Sequence, residues 1–379
     1  MSVFSARWAT VRPTDWRLIL GGLVVSRVVL TLVGITGVAL LGEGPRRLDL
    51  APDLPWLELW AQWDSEHYLA IATDGYSYAP GTFSNVIFFP LYPALIGLVM
   101  TIVGRTDTQT GALIGFLIAN AALLVALIYV AALVTRDLSL SVARRAVIYF
   151  LVFPMTFFLS AVYAESLFLA TGAATLYHAR QGEWYRAGVA GFLAALTRPF
   201  GFLLVVPIAI EMLRQRPRIR VLPSIALVPL GLATYLAYLW VRFGDPFVYF
   251  RAGDVWGRSF HLPWETLLAY LRGPLVLYDW PYAWLDLVSM TAMVALLIVG
   301  WWLIPRSYWA YAAIGLAFSL SSGIAWFSAS RHALALFPII IVLAALGERS
   351  RAFRWAWLAL SIILAVLFFA RFGAGYWVA

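Results

Sequence analysis

The apolar runs at residues 17–41 and 221–241 constrain this chain more than any other feature, because each is long enough to cross a bilayer. A hydrocarbon core of about 30 Å requires about 20 consecutive apolar residues in a helix. Similar runs recur to the end of the chain. Hydrophobic residues make up 63% of the 379 and charged residues only 12%, against about 45–50% and about 25% in soluble domains. The expected architecture is an all-α, polytopic membrane protein, a single transmembrane domain over residues 1–379. Cysteine is absent, which excludes disulfides, thiolate metal sites and a cysteine nucleophile. The first apolar run is too long for a signal peptide and lacks a small-residue cleavage site, so it is expected to remain as a span.

The net charge of +8 is carried by arginine alone, with no lysine in the chain. Most arginines lie in short runs between apolar segments, where cytoplasmic loops concentrate positive charge. The basic balance therefore points to membrane lipids, not to nucleic acid.

Arginine placement predicts a topology. Arg7, Arg12 and Arg17 put the N-terminus, residues 1–16, in the cytoplasm. The first span then leads into residues 42–109, which hold eight acids and three arginines and are read as an extracytoplasmic loop. Within it, residues 86–103 are apolar, but Pro90 and Pro93 weaken a regular helix there. If that segment crossed, the basic loop at Arg136, Arg144 and Arg145 would face outward. It is read as juxtamembrane or re-entrant. Residues 111–134 then form the second span, 146–161 go out and 167–177 return, with Ala164-Glu165-Ser166 at the outer turn. Thr197-Arg198-Pro199-Phe200-Gly201 interrupts residues 187–213, which read as two half-length helices with an outer tip. Residues 221–241 lead to a second large outer loop, 242–282, containing Asp245, Arg251, Asp254, Arg258 and His261. Spans near 283–304, 308–327, 333–346 and 355–369 bring the total to about eleven.

Several residues gather on the outer side of this scheme. Trp63-Asp64-Ser65-Glu66-His67-Tyr68 opens a short helix lying on the membrane. Asp64 has two readings, a helix N-cap or a carboxylate that takes a proton from a hydroxyl as general base. His67 and Tyr68 follow one turn on, and Trp63 has the shape to stack on a sugar ring. Glu165, flanked by Tyr163 and Ser166, sits at a hairpin tip, where an acid is costly and is read as functional or as solvated by headgroup water. Arg198 and Arg331, the latter beside His332, are outer cations suited to phosphate oxygens. Their alternatives are snorkelling to headgroups or pairing with an acid. Arg27 lies inside the first span and needs a partner, an acid or a lipid phosphate. The four histidines form no close-spaced metal-ligand pair.

Four strings resemble the PIG-V-like mannosyltransferases, members of the GT-C class of membrane glycosyltransferases. They are Trp63-Asp64 with His67-Tyr68-Leu69, Ile71-Ala72 and Gly75-Tyr76; Phe88-Phe89-Pro90-Leu91-Tyr92-Pro93; Ser160 to Phe168; and Thr197 to Gly201. The likeness runs from the first span to about residue 215 and continues weakly through Ser330-Arg331-His332. It implies a GT-C fold, with juxtamembrane helices in the first outer loop. It also implies a polyprenyl-phosphate-mannose donor and inverting transfer outside the cytoplasm to a lipid, glycan or protein hydroxyl. Asp64 occupies the place of the family's catalytic base and Glu165 that of a second acid. Metal-dependent members pair acids at the second position. Glu165 stands alone there, which argues against metal dependence, and a divalent metal is kept as the alternative; no other cofactor is implied.

On this reading Arg331, with Arg198, holds the donor phosphate. Tyr68, Tyr163, His67, His332 and Trp63 contact sugar or acceptor. The compact lysine-free chain resembles bacterial relatives, which places it in a plasma membrane. The rival readings are a GT-C transferase of arabinose or a glucose-type sugar, a flippase or transporter of lipid-linked sugars, and a non-catalytic subunit of a glycosylation complex.

Overall fold

The computed structural model describes residues 13–272, 283–323, 326 and 328–378. Among them every regular element is helical. Four helical stretches are long and apolar enough to cross a membrane: Trp16–Leu41 within α1 (Pro13–Leu41), α5 (Thr108–Asp137), Ile219–Phe243 and α17 (Arg351–Gly373). A fifth is reached if α15 (Ala329–Ala335) and α16 (Pro338–Arg349), bent by 86°, count as one span. The chain is an integral membrane protein. Among the described residues helix length alone does not confirm the expected total of about eleven spans, because several apolar segments are short or broken.

The segment between α1 and α5 folds into short helices against the bundle. α2 (Pro55–Glu58) and α3 (Ser65–Asp74) precede α4 (Leu91–Val103). With 13 residues, α4 measures about 20 Å at 1.5 Å per residue, short of the hydrocarbon thickness. It packs on α3 and α5. This length fits a segment that does not cross. Tyr92 donates its hydroxyl proton to Gly115 O at 2.8 Å, fixing α4 to α5.

α6 spans Leu140–Val152, so the outward helix expected over 146–161 stops early. Pro154 restricts the residue before it to extended backbone, and Phe153 has ψ 143°. Residues 153–164 continue as irregular backbone with a 3-10 turn at Thr156–Leu159, and all of them are buried. Such backbone is tolerated at membrane depth only inside protein or against a wet cavity. Arg27 of α1 reaches this segment, donating to Thr156 Oγ1 at 3.2 Å and to Thr156 O at 3.3 Å. Its partner is a neutral threonine, neither of the two expected from the sequence.

α7 (Glu165–Arg180), α8 (Trp184–Ala195) and α9 (Val205–Gln215) follow. The break between α8 and α9 falls at Thr197-Arg198, and a 3-10 turn runs over Pro199–Leu204. Gly201 is required there: a Cβ would stand 2.2 Å from Ala194 C and O. After α9 a 3-10 turn, Ile219–Ala226, leads into α10 (Leu227–Phe243). Beyond α10 lie α11 (Val248–Val255) and α12 (Pro263–Arg272), and residues 273–282 lie outside the described residues. α13 (Ala283–Gly300) and α14 (Arg306–Leu320) complete the bundle.

The end of the bundle remote from Asp64 is closed by charge. Arg180 of α7 donates to both oxygens of Asp137 at 3.0 and 2.7 Å and to Glu211 Oε1 at 2.9 Å. Ser307 donates to the same Glu211 oxygen at 2.7 Å, and Tyr308 donates to Asp137. A bidentate arginine with every acid partnered is a strong, orienting contact. It ties α5, α7, α9 and α14 together.

Candidate active site

Residues far apart in the chain meet at the opposite end. α3 starts at Ser65, and Asp64 occupies the N-cap position, but its side chain accepts no capping hydrogen bond. The carboxylate turns to α15, where Arg331 Nη1 donates to Asp64 Oδ2 at 2.7 Å. Arg331 Nε donates to Glu165 Oε1, and Arg198 Nη1 donates to the same oxygen. Asp64 to Arg331 to Glu165 to Arg198 is therefore one continuous chain of charge-assisted hydrogen bonds. The two arginines make the acid pairing that was one of their three sequence readings. The Arg331 guanidinium also lies over the rings of Tyr163 and Phe158, 4.6 and 4.7 Å from their centroids. Aromatic faces hold a cation in place electrostatically.

The turn before α3 fixes the direction of Asp64. Trp63 has φ +56°, a left-handed conformation that is costly for a bulky residue and persists only when its surroundings over-determine it. Tyr163 supplies that constraint. Its hydroxyl donates to Gln62 O and accepts from the Asp64 N–H, each at 3.1 Å, bracketing Trp63 on both sides. Gln62 is itself held, donating from Nε2 to Glu58 O at 2.8 Å and accepting from Leu48 N–H at 2.9 Å. Val162 N–H donates to Trp60 O at 3.0 Å and joins the same turn to the segment before α7.

A cavity of about 550 Å³ opens beside this array. Asp64, Tyr68, Arg198, Arg331 and His332 line it, together with Arg258. Much of the remaining wall is apolar, including Phe200, Leu203, Ile314 and Phe318. Glu165 is not part of the lining. Its side chain is 1% exposed and lies behind the two arginines, with Oε2 unpartnered among the described residues. Tyr163 also stands behind the lining. Trp63 does not face the cavity, since its ring meets Trp377 edge-on at 4.8 Å and Arg46 lies 5.6 Å from its centroid. His67 does not line the cavity either; it stacks on Phe88 at 4.8 Å and meets Trp256 edge-on.

The electrostatics follow from these contacts. Burial would raise the Asp64 carboxyl, but the Arg331 charge and hydrogen bond outweigh it, with His67 and Arg258 adding to them. Asp64 is held below the usual carboxylate range, so it is ionised at neutral pH. Burial lowers His67 against the opposing pull of Asp64 and Glu66. Burial also pushes the Tyr68 phenol upward, with Glu165 adding, so it stays protonated. Among the described residues no group of three or more His, Asp or Glu side chains is placed to hold a metal ion. Asp64 and Glu165 each give one oxygen to Arg331.

One cavity residue was not singled out from the sequence. Arg258 is exposed and faces the cavity from the loop after α11. The available signal was Gly257, which stands just past the end of that helix, where glycine commonly ends helices.

The mannosyltransferase (PIG-V) family model matches residues 55–215. The match takes in Asp64, Glu165 and Arg198 and ends well before Arg331 and His332. No curated protein matches the chain by sequence. Among solved structures, ArnT from Cupriavidus metallidurans bound to undecaprenyl phosphate is similar, with TM-score 0.53 and 14% identity. That likeness covers 94% of this chain and 64% of ArnT, so this chain spans less than two thirds of its neighbour. An Archaeoglobus fulgidus oligosaccharyltransferase tethered to an acceptor peptide gives TM-score 0.47 at 12% identity, over 95% of this chain and 55% of its own. Residues 55–215 are thus similar in sequence to the mannosyltransferase (PIG-V) family, and the chain is similar in fold to ArnT.

Proposed function

We propose that the chain transfers a mannosyl residue from a polyprenyl-phosphate-mannose donor to a lipid, glycan or protein hydroxyl, with inversion, on the extracytoplasmic face of a bacterial plasma membrane. The observation that carries this reading is the cavity itself. An ionised carboxylate and three arginines face one space whose remaining wall includes Phe200, Leu203, Ile314 and Phe318. A lipid-linked sugar phosphate needs that combination: cations for phosphate, apolar surface for isoprenoid, and a base for the incoming hydroxyl. The undecaprenyl phosphate bound to ArnT is of the same chemical class and supports the choice.

In this scheme Asp64 removes the proton from the acceptor hydroxyl as its oxygen attacks the anomeric carbon. The bond from that carbon to the phosphate oxygen breaks, and the electron pair leaves with the phosphate. Arginine charge at the cavity stabilises the leaving group, a preorganised electrostatic contribution to the rate. Tyr68 and His332 line the cavity and contact sugar or acceptor. Glu165 is a positioning residue, since it holds Arg198 and Arg331 from behind and does not reach the reacting atoms. Tyr163 positions Asp64 through the Trp63 turn.

A transporter of lipid-linked sugars would instead place polar groups along a path through the bundle. Here the polar groups gather at one end, and the other is tied by the Arg180 network. The deciding experiment supplies purified protein with polyprenyl-phosphate-mannose or nucleotide-linked mannose, each with a membrane lipid extract as acceptor. Transfer from the lipid-linked donor alone is expected. Transfer from the nucleotide-linked donor alone would overturn the reading.

A further inference from the structure

The cations at the site are not equivalent. Arg198 and Arg331 are matched by Glu165 and Asp64, charge for charge. Arg258 faces the same cavity, and among the described residues its side chain has no ion pair or hydrogen bond. Its backbone, by contrast, is held firmly. Gly257 has φ +67°, Arg258 N–H donates to Gly253 O at 2.8 Å, and Gly257 N–H donates to Asp254 O at 3.0 Å. These are the paired bonds of a helix end closed by a left-handed glycine. On one side Trp256 Nε1 donates to Ser84 O at 3.3 Å, joining the turn to the first outer loop. On the other side His261 N–H donates to Ser321 O at 3.1 Å, joining it to the end of α14.

We infer that Arg258 is the primary anchor for the phosphate of the lipid-linked donor, and that proton transfer to Asp64 releases Arg331 to bind the same phosphate as it leaves. This inference rests on the donor reading above. With histidine neutral, three arginines against two carboxylates leave the site at +1, which matches the single negative charge of a sugar phosphodiester. Transfer breaks the bond between sugar and phosphate oxygen and gives the acceptor proton to Asp64. The product phosphomonoester then carries about −2. The site, with Asp64 neutral, becomes +2, and the guanidinium that had been paired with Asp64 is free to turn to the phosphate. The charge change on the ligand is thus met by an equal and opposite change on the protein.

The test measures binding of a polyprenyl phosphate to the full-length protein in detergent, with no sugar or acceptor present. Arg258→Gln is expected to weaken binding about tenfold or more, the scale of one charge-assisted hydrogen bond, and Arg258→Lys to recover most of it. Asp64→Asn, which mimics the protonated acid, is expected to bind about tenfold more tightly than wild type, and Asp64→Asn with Arg331→Gln is expected to lose that gain. Unchanged affinity in Arg258→Gln overturns the anchor, and unchanged affinity in Asp64→Asn overturns the release of Arg331; either result leaves the donor reading standing. Failure of wild type to bind polyprenyl phosphate, or equal competition by inorganic phosphate, overturns the lipid-phosphate reading itself.

Discussion

Arg331 and Asp64 lie 267 positions apart in the chain and are joined by a hydrogen bond of 2.7 Å in the wall of the cavity. This contact binds the family-matched part of the chain to a helix beyond it, and it sets the charge state of the carboxylate on which the proposed chemistry depends.

A pH dependence follows from that pairing. The folded-state pKa of Asp64 is depressed, so the base is already ionised above the usual carboxylate range and is lost only as pH falls through the lower, folded value. The same group contributes stability that is present above its unfolded pKa and disappears as pH falls through the folded one. The acid limb of kcat/KM is expected below the ordinary carboxylate range. In Arg331→Gln, whatever the residual rate, that limb is expected to move to higher pH. An unmoved limb would separate Arg331 from the ionisation of Asp64.

Glu165 is expected to act on the arginines. Glu165→Gln leaves buried Arg331 and half-buried Arg198 without their shared carboxylate, and breaking the buried Glu165–Arg331 pair costs about 3–5 kcal/mol. Thermal unfolding in detergent should show a lowered midpoint together with reduced transfer. A midpoint equal to wild type would show that Glu165 does not hold the arginines.

Tyr163→Phe removes both hydrogen bonds that bracket Trp63. The left-handed turn then loses its constraint, and Asp64 loses its fixed direction. The expected result is a lower kcat with little change in donor KM, since the donor-facing cavity wall is intact. A raised KM with unchanged kcat would place Tyr163 in donor binding.

Topology can be read by labelling, because the chain has no cysteine of its own. Thr82 and Arg218 are exposed, and they lie in loops assigned to opposite sides by arginine placement. Thr82→Cys is expected to react with an impermeant thiol reagent in intact cells. Arg218→Cys is expected to react only after permeabilisation. The reverse pattern would invert the orientation.

The sequence made part of this molecule legible for physical reasons. Apolar runs long enough to span gave the helical membrane class, and proline with glycine at 199 and 201 marked the break between α8 and α9. Glu165 was singled out by the cost of an acid at a hairpin tip, and Asp64 by its place at the start of a short helix in an acidic loop. Their shared partner was not legible, because a pairing between residues 165 and 331 leaves no local pattern. Arg27 was legible as a residue needing a partner, while its neutral partner Thr156 lies in an irregular segment with no periodicity to read. Trp63 read as a sugar platform because it stands beside Asp64; its contact with Trp377 joins positions too distant to leave a local pattern.

The central claim is that Asp64 is the base for sugar transfer, and Asp64→Asn tests it most directly. The substitution keeps the shape of the side chain while removing its ability to accept the proton. Transfer from polyprenyl-phosphate-mannose to a membrane acceptor should fall by about 10²–10⁴, the usual contribution of a positioned general base, while polyprenyl phosphate still binds. Transfer by Asp64→Asn at the wild-type rate would contradict the account.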